Sequence, residues 1–142
     1  MTVFYLSENK LAFPPAFLAD DTGLLAVGGD LSIPRLLKAY SSGIFPWYNE
    51  EEPILWWSPD PRLVLFPEEL HVSRSLAKVI RKNIYEITVD RAFRDVITGC
   101  RTVHTETKSG TWLVDEMLEA YISLHEHGYA HSVEAWRDGV LS

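Results

Sequence analysis

The sequence predicts a mixed α+β protein made of two unlike parts. A small turn-rich N-terminal domain is expected over residues 1–60, and a regular strand-and-helix domain over 61–142. Three observations carry that reading. Gly, Pro and aromatic residues crowd the first part, in Phe13-Pro14-Pro15, Gly28-Gly29-Asp30, Gly43-Ile44-Phe45-Pro46-Trp47 and Trp56-Trp57-Ser58-Pro59-Asp60-Pro61. Pro fixes φ and Gly opens positive φ, so such a stretch folds as turns. Regular hydrophobic periodicity is concentrated beyond residue 60. The chain is also 46% hydrophobic and 23% charged, which suits a packed core rather than disorder.

The elements follow in order. Gly28-Gly29-Asp30 lacks both the Lys of a phosphate loop and a three-Gly fingerprint, so it reads as a turn. Ser32 then caps a helix with Pro34 in its first turn, Leu36, Leu37 and Tyr40 on its apolar face, and Gly43 as its stop. Leu63 to Phe66 reads as a short apolar strand. Ser73 caps a helix to about Lys82, with Leu76, Val79 and Ile80 facing inward. Tyr85, Ile87 and Val89 alternate as a strand. Asp90 caps a helix carrying Phe93, Val96 and Ile97, ended by Gly99.

Val103 to Gly110 is polar and reads as a mobile loop. Trp112 to about Glu126 has Leu113, Met117, Ala120, Tyr121 and Leu124 at helical spacing, with Gly128 as the stop. Ala130 to Trp136 is a strand, and Asp138-Gly139 is a hairpin turn. Only Val140, Leu141 and Ser142 follow, where a usual strand has about five or six residues. A hairpin cut that short leaves an apolar sheet edge uncovered. The chain is therefore expected to be a piece of a longer protein; a natural short edge strand is the alternative.

Composition excludes several classes. Thirteen Lys+Arg against 20 Asp+Glu give a formal charge of −7, which argues against general adhesion to nucleic acid but permits a local basic patch. No apolar run approaches the roughly 20 residues that span a bilayer, and no secretory signal opens the chain. The single cysteine, Cys100, excludes an internal disulfide and a multi-Cys zinc site. It is read as a buried, inert thiol in a reducing cytoplasm. His125, His127 and His131 lack a ligand spacing, so no metal is expected. No Ser/His/Asp constellation stands out.

Two features remain. Trp47, Trp56, Trp57, Trp112 and Trp136 offer flat faces with one donor each, suited to a core or to stacking on a base. Trp56 and Trp57 are adjacent, so on a strand they face opposite ways. Arg74, Lys78, Arg81 and Lys82 form one helical stripe, either an ordinary solvated face or a phosphate-contacting one. Read alone, these residues give a soluble protein with an aromatic pocket and a modest basic stripe.

The motifs go further. Ala26-Val27-Gly28-Gly29-Asp30-Leu31, Gly43-Ile44-Phe45-Pro46-Trp47 and Ile54-Leu55-Trp56-Trp57-Ser58-Pro59-Asp60-Pro61-Arg62 resemble the bacterial leucyl/phenylalanyl-tRNA–protein transferases. His71-Val72-Ser73-Arg74-Ser75, Gly110-Thr111-Trp112, and Leu124-His125-Glu126 to His131-Ser132-Val133-Glu134 fit the same family, in the same order.

The resemblance implies a cytoplasmic enzyme that moves Leu, Phe or, less often, Met from charged tRNA to proteins beginning with Lys or Arg. Such marking leads to degradation through the N-degron route. It implies that the second part, 61–142, is an incomplete GNAT-like domain. It implies that Trp47, Trp112 and Tyr121 hold the 3′ aminoacyl-adenosine, and that Arg74, Arg81 and Lys82 contact tRNA. The family's Gly-Glu-Ser-Met-Phe-Ser motif and its downstream acidic and Gln residues are absent from this sequence. The catalytic groups are therefore unassigned, and these 142 residues alone are expected to be inactive. An ester donor needs no ATP, metal or other cofactor. No membrane partner is expected, and the chain is expected to be a monomer. The rival readings are a non-catalytic tRNA- or protein-binding module and an acyl-CoA acyltransferase. The latter calls for a Gly-rich pyrophosphate loop that is absent here.

Overall fold

The computed structural model describes residues 3–106 and 113–142. Its first sheet is built from β1 (Phe4–Leu6), β2 (Leu24–Gly28), β3 (Phe45–Pro46) and β4 (Leu55–Trp57), in the order β1-β2-β4-β3. β1 runs parallel to β2, and the other neighbours are antiparallel. Between β2 and β3 lies α1 (Ile33–Ser41). Beyond Trp57 come α2 (Arg74–Arg81), β5 (Glu86–Val89), α3 (Phe93–Glu106), α4 (Asp115–Glu126), β6 (Val133–Arg137) and β7 (Val140–Leu141). The last three strands form an antiparallel sheet in the order β5-β6-β7. The expected mixed α+β class and the strand-helix-helix-strand order are both present.

One hydrophobic core joins the first sheet to α1, α3 and α4. It runs from Leu25, Ala26, Leu36, Ile44 and Trp56 to Phe93, Ile97, Met117 and Ile122. Trp56 is fully buried, its Nε1–H donates to the Gly28 carbonyl at 2.8 Å, and the Phe13 ring packs edge-on at 4.8 Å. Its neighbour Trp57 faces the other way, as alternation on a strand requires, and is half-buried.

The turn ahead of α1 holds a charge that the pattern did not disclose. Arg35 is 1% exposed. Its Nε and Nη2 donate to Asp30 Oδ2 at 3.1 and 2.9 Å, and Nη2 also reaches the Ser7 and Glu8 carbonyls. Asp30 Oδ1 accepts from the Ser32 N–H at 2.8 Å. Ser32 precedes α1 as expected, but its own side chain makes no capping bond. Gly29, at φ +78°, is needed here twice over. A Cβ would have a left-handed backbone and would meet the Arg35 guanidinium at 3.2 Å.

Several expectations about the second part are corrected. Leu63–Phe66 is not a strand: these residues are exposed and have no ladder partner among the described residues. α2 forms, with Ser73 Oγ accepting from the Leu76 N–H, yet Leu76 and Ile80 are exposed and Val79 only half-buried. Periodicity reports an apolar face, and cover for that face comes from elsewhere.

Gly99 does not end α3, which continues to Glu106. Gly99 has no positive φ, and an interior Gly costs only about 1 kcal/mol against Ala. Thr102 Oγ1 bonds back to the Thr98 carbonyl across it. Cys100, now within the helix, is exposed rather than buried. The expected mobile loop over 103–110 is thus helical as far as Glu106, and its remainder lies outside the described residues.

The N-terminus of α3 is also served differently. Asp90, at φ +58°, turns its carboxylate to the Ser132 N–H at 2.9 Å and His131 Nδ1 at 2.7 Å. Glu134 of β6, 1% exposed, accepts instead from the Ala92 N–H. Ser132 and Thr88 hydroxyls complete the set of donors to Glu134, and they hold its carboxyl below the usual range. A buried carboxylate with several donors anchors the sheet to the first turn of α3.

At the C-terminal end the sequence reading holds. Gly128, at φ +76°, closes α4 as the Tyr129 N–H bonds to the Leu124 carbonyl. Asp138 and Gly139, at φ +51° and +78°, form the β6-β7 hairpin turn, whose mirror-image geometry matches strand twist.

Candidate aminoacyl-nucleotide site

An open cleft of about 290 Å³ lies between the first sheet and the helices, lined by Tyr40, Gly43, Ile44, Phe45, Pro46, Trp47, Arg62 and Tyr121. Three separate parts of the chain supply it. Tyr40 ends α1, and the turn at Gly43 leads straight into β3. Trp47 follows β3, Arg62 follows β4, and Tyr121 stands on α4.

Backbone bonds hold Trp47 in place. Its N–H donates to the Leu55 carbonyl at 3.0 Å, and its carbonyl accepts from Trp57 Nε1–H at 2.7 Å. Trp47 is 53% exposed although its backbone is held on both sides. Core packing alone does not explain an aromatic residue of this size at the surface. The next residue, Tyr48, is buried, and its hydroxyl reaches Glu116 Oε2 at 3.4 Å. That contact ties the Trp47 segment to α4.

Tyr40 and Tyr121 meet across the cleft. Their rings pack edge-on at 6.5 Å and their hydroxyls are hydrogen-bonded to each other. Burial pushes both phenols above their ordinary range. Both therefore stay neutral near pH 7, and one of the two O–H groups is spent on the bond between them. Among the described residues no Asp, Glu or His lines the cleft. Residues of these types can hold a flat ring beside a polar group.

Of the residues expected to hold the aminoacyl-adenosine, the structure brings Trp47 and Tyr121 to the same cleft. Trp112, with the Gly110-Thr111-Trp112 triplet, lies outside the described residues. Arg74, Arg81 and Lys82 are all exposed at α2, joined there by Lys78, and make no ion pair among the described residues. None of them lines the cleft. Sequence reasoning missed Tyr40, Phe45 and Arg62. Tyr40 was assigned to an apolar helix face, although Phe45 and Arg62 stood inside motifs already singled out.

The sequence of this α+β chain matches two family models, both of one class of transferase. One, described as leucyl/phenylalanyl-tRNA protein transferase, matches residues 64–142; the other, described as the N-terminal domain of the same, matches residues 29–60. The chain belongs to the leucyl/phenylalanyl-tRNA protein transferase family. A relative of that name from Syntrophobacter fumaroxidans is 60% identical over 141 residues, covering 99% of this chain and 60% of the relative. One from Desulforapulum autotrophicum is 57% identical over 142 residues, covering 100% and 62%. One from Myxococcus xanthus is 56% identical over 142 residues, covering 99% and 61%. The chain thus spans about 60% of the length of these curated relatives.

Proposed function

We propose that this chain carries the donor-binding part of a leucyl/phenylalanyl-tRNA–protein transferase. Its cleft would take the 3′ aminoacyl-adenosine of a charged tRNA, with Leu, Phe or Met as the amino acid. The observation that carries the reading is the convergence of Trp47 and Tyr121 on one open cleft. An indole face stacks on a base, and phenol hydroxyls offer polar partners to ribose or phosphate oxygens. Trp112 belongs to the same proposal. Arg74, Arg81 and Lys82 would contact the tRNA backbone, which gives an acidic chain a local cationic strip. The division into a unit over 1–60 and a GNAT-like unit over 61–142 is part of this reading.

The reaction is aminolysis. The amine of an acceptor beginning with Lys or Arg attacks the ester carbonyl that joins the amino acid to the tRNA ribose. The new amide forms as the ribose oxygen leaves with a proton. The acceptor would then enter the N-degron route. The ester is already activated, so positioning of two substrates can supply much of the acceleration, up to about 7–11 kcal/mol in favourable cases. One group must take the amine proton and one must return a proton to the ribose oxygen. No carboxylate or imidazole among the described residues lines the cleft to do so.

Binding of phenylalanyl-tRNA tests the reading. Trp47→Ala is expected to weaken it about tenfold, as loss of one stacked base does. Arg81→Ala with Lys82→Ala is expected to flatten its salt dependence. In the same assays the 142-residue chain is expected to bind without passing phenylalanine to an Arg-starting peptide. An unchanged affinity for Trp47→Ala would remove the cleft from the function.

A further inference from the structure

Arg62 closes the run Trp56-Trp57-Ser58-Pro59-Asp60-Pro61-Arg62, and the functional reading so far gives it no role. It stands at the cleft with its Nη2 donating to the Gly43 carbonyl at 2.9 Å. Its guanidinium lies 5.3 Å from the centroid of the Phe45 ring. The residue is exposed and makes no ion pair among the described residues. The other arginines of the second part do, Arg74 and Arg81 of the basic strip aside: Arg91, Arg94, Arg101 and Arg137 each face a carboxylate.

A structural role alone does not account for this arrangement. The Gly43 carbonyl already accepts from Ser58 Oγ at 3.2 Å, so it has a donor without Arg62. A cap at that carbonyl also needs no charge. What Arg62 adds is a cation beside the Phe45 ring, in the cleft that Trp47 and Tyr121 also line, in a protein of net charge −7. A guanidinium has five N–H donors in a rigid fork, which suits two oxygens of one phosphate. One donor is spent on Gly43, and stacking on Phe45 steadies the plane.

We infer that Arg62 binds the phosphate attached to the 5′ oxygen of the nucleoside held in the cleft. The inference rests on the nucleotide reading of the cleft and adds a specificity to it. The cleft takes a terminal nucleotide in preference to a free nucleoside, and so favours an amino acid still attached to a polynucleotide end.

The test uses the 142-residue chain with adenosine and adenosine 5′-monophosphate as probes, titrated by calorimetry. The wild-type chain is expected to bind the monophosphate about fivefold more tightly, a modest ratio because the guanidinium is exposed to solvent. Raising the salt from about 50 to about 500 mM should shrink that ratio. Arg62→Ala is expected to bring it to about one through loss of affinity for the monophosphate, and Arg62→Lys to an intermediate value because the fork is gone. Arg62→Gln, which keeps a donor for Gly43 without the charge, repeats the test should Arg62→Ala not fold. A wild-type ratio retained by Arg62→Ala or Arg62→Gln overturns the inference and leaves the cleft reading standing. Equal binding of the two probes by the wild-type chain does the same. Failure of the wild-type chain to bind either probe overturns the cleft reading, and the inference falls with it.

Discussion

Trp56→Ala is expected to cost about 3–5 kcal/mol of folding stability, the range for deleting a fully buried large aromatic side chain. That is a large share of the roughly 5–15 kcal/mol that holds an ordinary domain together. The indole fills the centre of the first sheet, opposite Ala26 of β2 and Pro46 of β3. Removing it leaves a cavity beneath Phe13 and strips the Gly28 carbonyl of its donor. Because β3 is a two-residue strand whose sheet partner among the described residues is β4, the loss should also loosen the segment that carries Trp47. Trp56→Phe keeps most of the apolar area but not the hydrogen bond, and should cost less. Urea unfolding of the three chains checks the order. A loss under about 1 kcal/mol for Trp56→Ala would show that the sheet does not depend on this residue.

Asp30→Ala is expected to cost about 2–4 kcal/mol, because it leaves the buried Arg35 guanidinium without its carboxylate. The figure stays below that for a wholly buried pair. Asp30 is a third exposed, and Arg35 keeps the Ser7 and Glu8 carbonyls. Asp30→Ala combined with Arg35→Met should recover much of the loss, since no charge is then left buried.

The pH dependence has a definite sign. Burial alone would raise the Asp30 carboxyl, but the bonds from Arg35 and Ser32 outweigh it and hold the group below its ordinary value of 3.8. A carboxyl depressed in the folded state contributes its stability above its unfolded value and loses it as pH falls through the folded one. The gap between wild type and Asp30→Ala should therefore be constant at neutral pH and close in acid. A gap that widened in acid would contradict the pairing.

Local pattern made much of the fold legible. Helix α1, most of helix α4 and the β6-β7 hairpin follow from apolar spacing, glycine stops and the Asp-Gly pair. The misreadings share one cause, that local pattern does not report tertiary neighbours. Leu76 and Ile80 sit on an apolar face of α2 that the described residues cover only in part. Gly99 was read as a stop, although a helix interior tolerates a single Gly when the bonds on either side persist. Asp90 has the composition of a cap, but Ser132 and His131 arrive from the far end of α4 to occupy it, and Glu134 takes over the helix.

The site was legible in a different way. Trp47 and Tyr121 were found through motifs, since no spacing links two residues so far apart in the chain. Tyr40 and Arg62 needed the structure. A tyrosine at the end of an amphipathic helix looks like core, and an arginine after Asp60-Pro61 looks like solvent. Arg35 shows the limit most sharply, because nothing in Pro34-Arg35-Leu36 separates a buried cation from an exposed one.

The central claim is that the cleft shared by Trp47 and Tyr121 receives the aminoacyl end of tRNA. The most direct measurement is an NMR titration of the 142-residue chain with a non-hydrolysable phenylalanyl-adenosine amide. Resonances of the Trp47 indole and of the Tyr40 and Tyr121 rings are followed beside those of α2. The account predicts saturable shifts at those three aromatic residues and little change along Arg74–Arg81. Saturable shifts elsewhere, with Trp47 and Tyr121 unmoved, would contradict it.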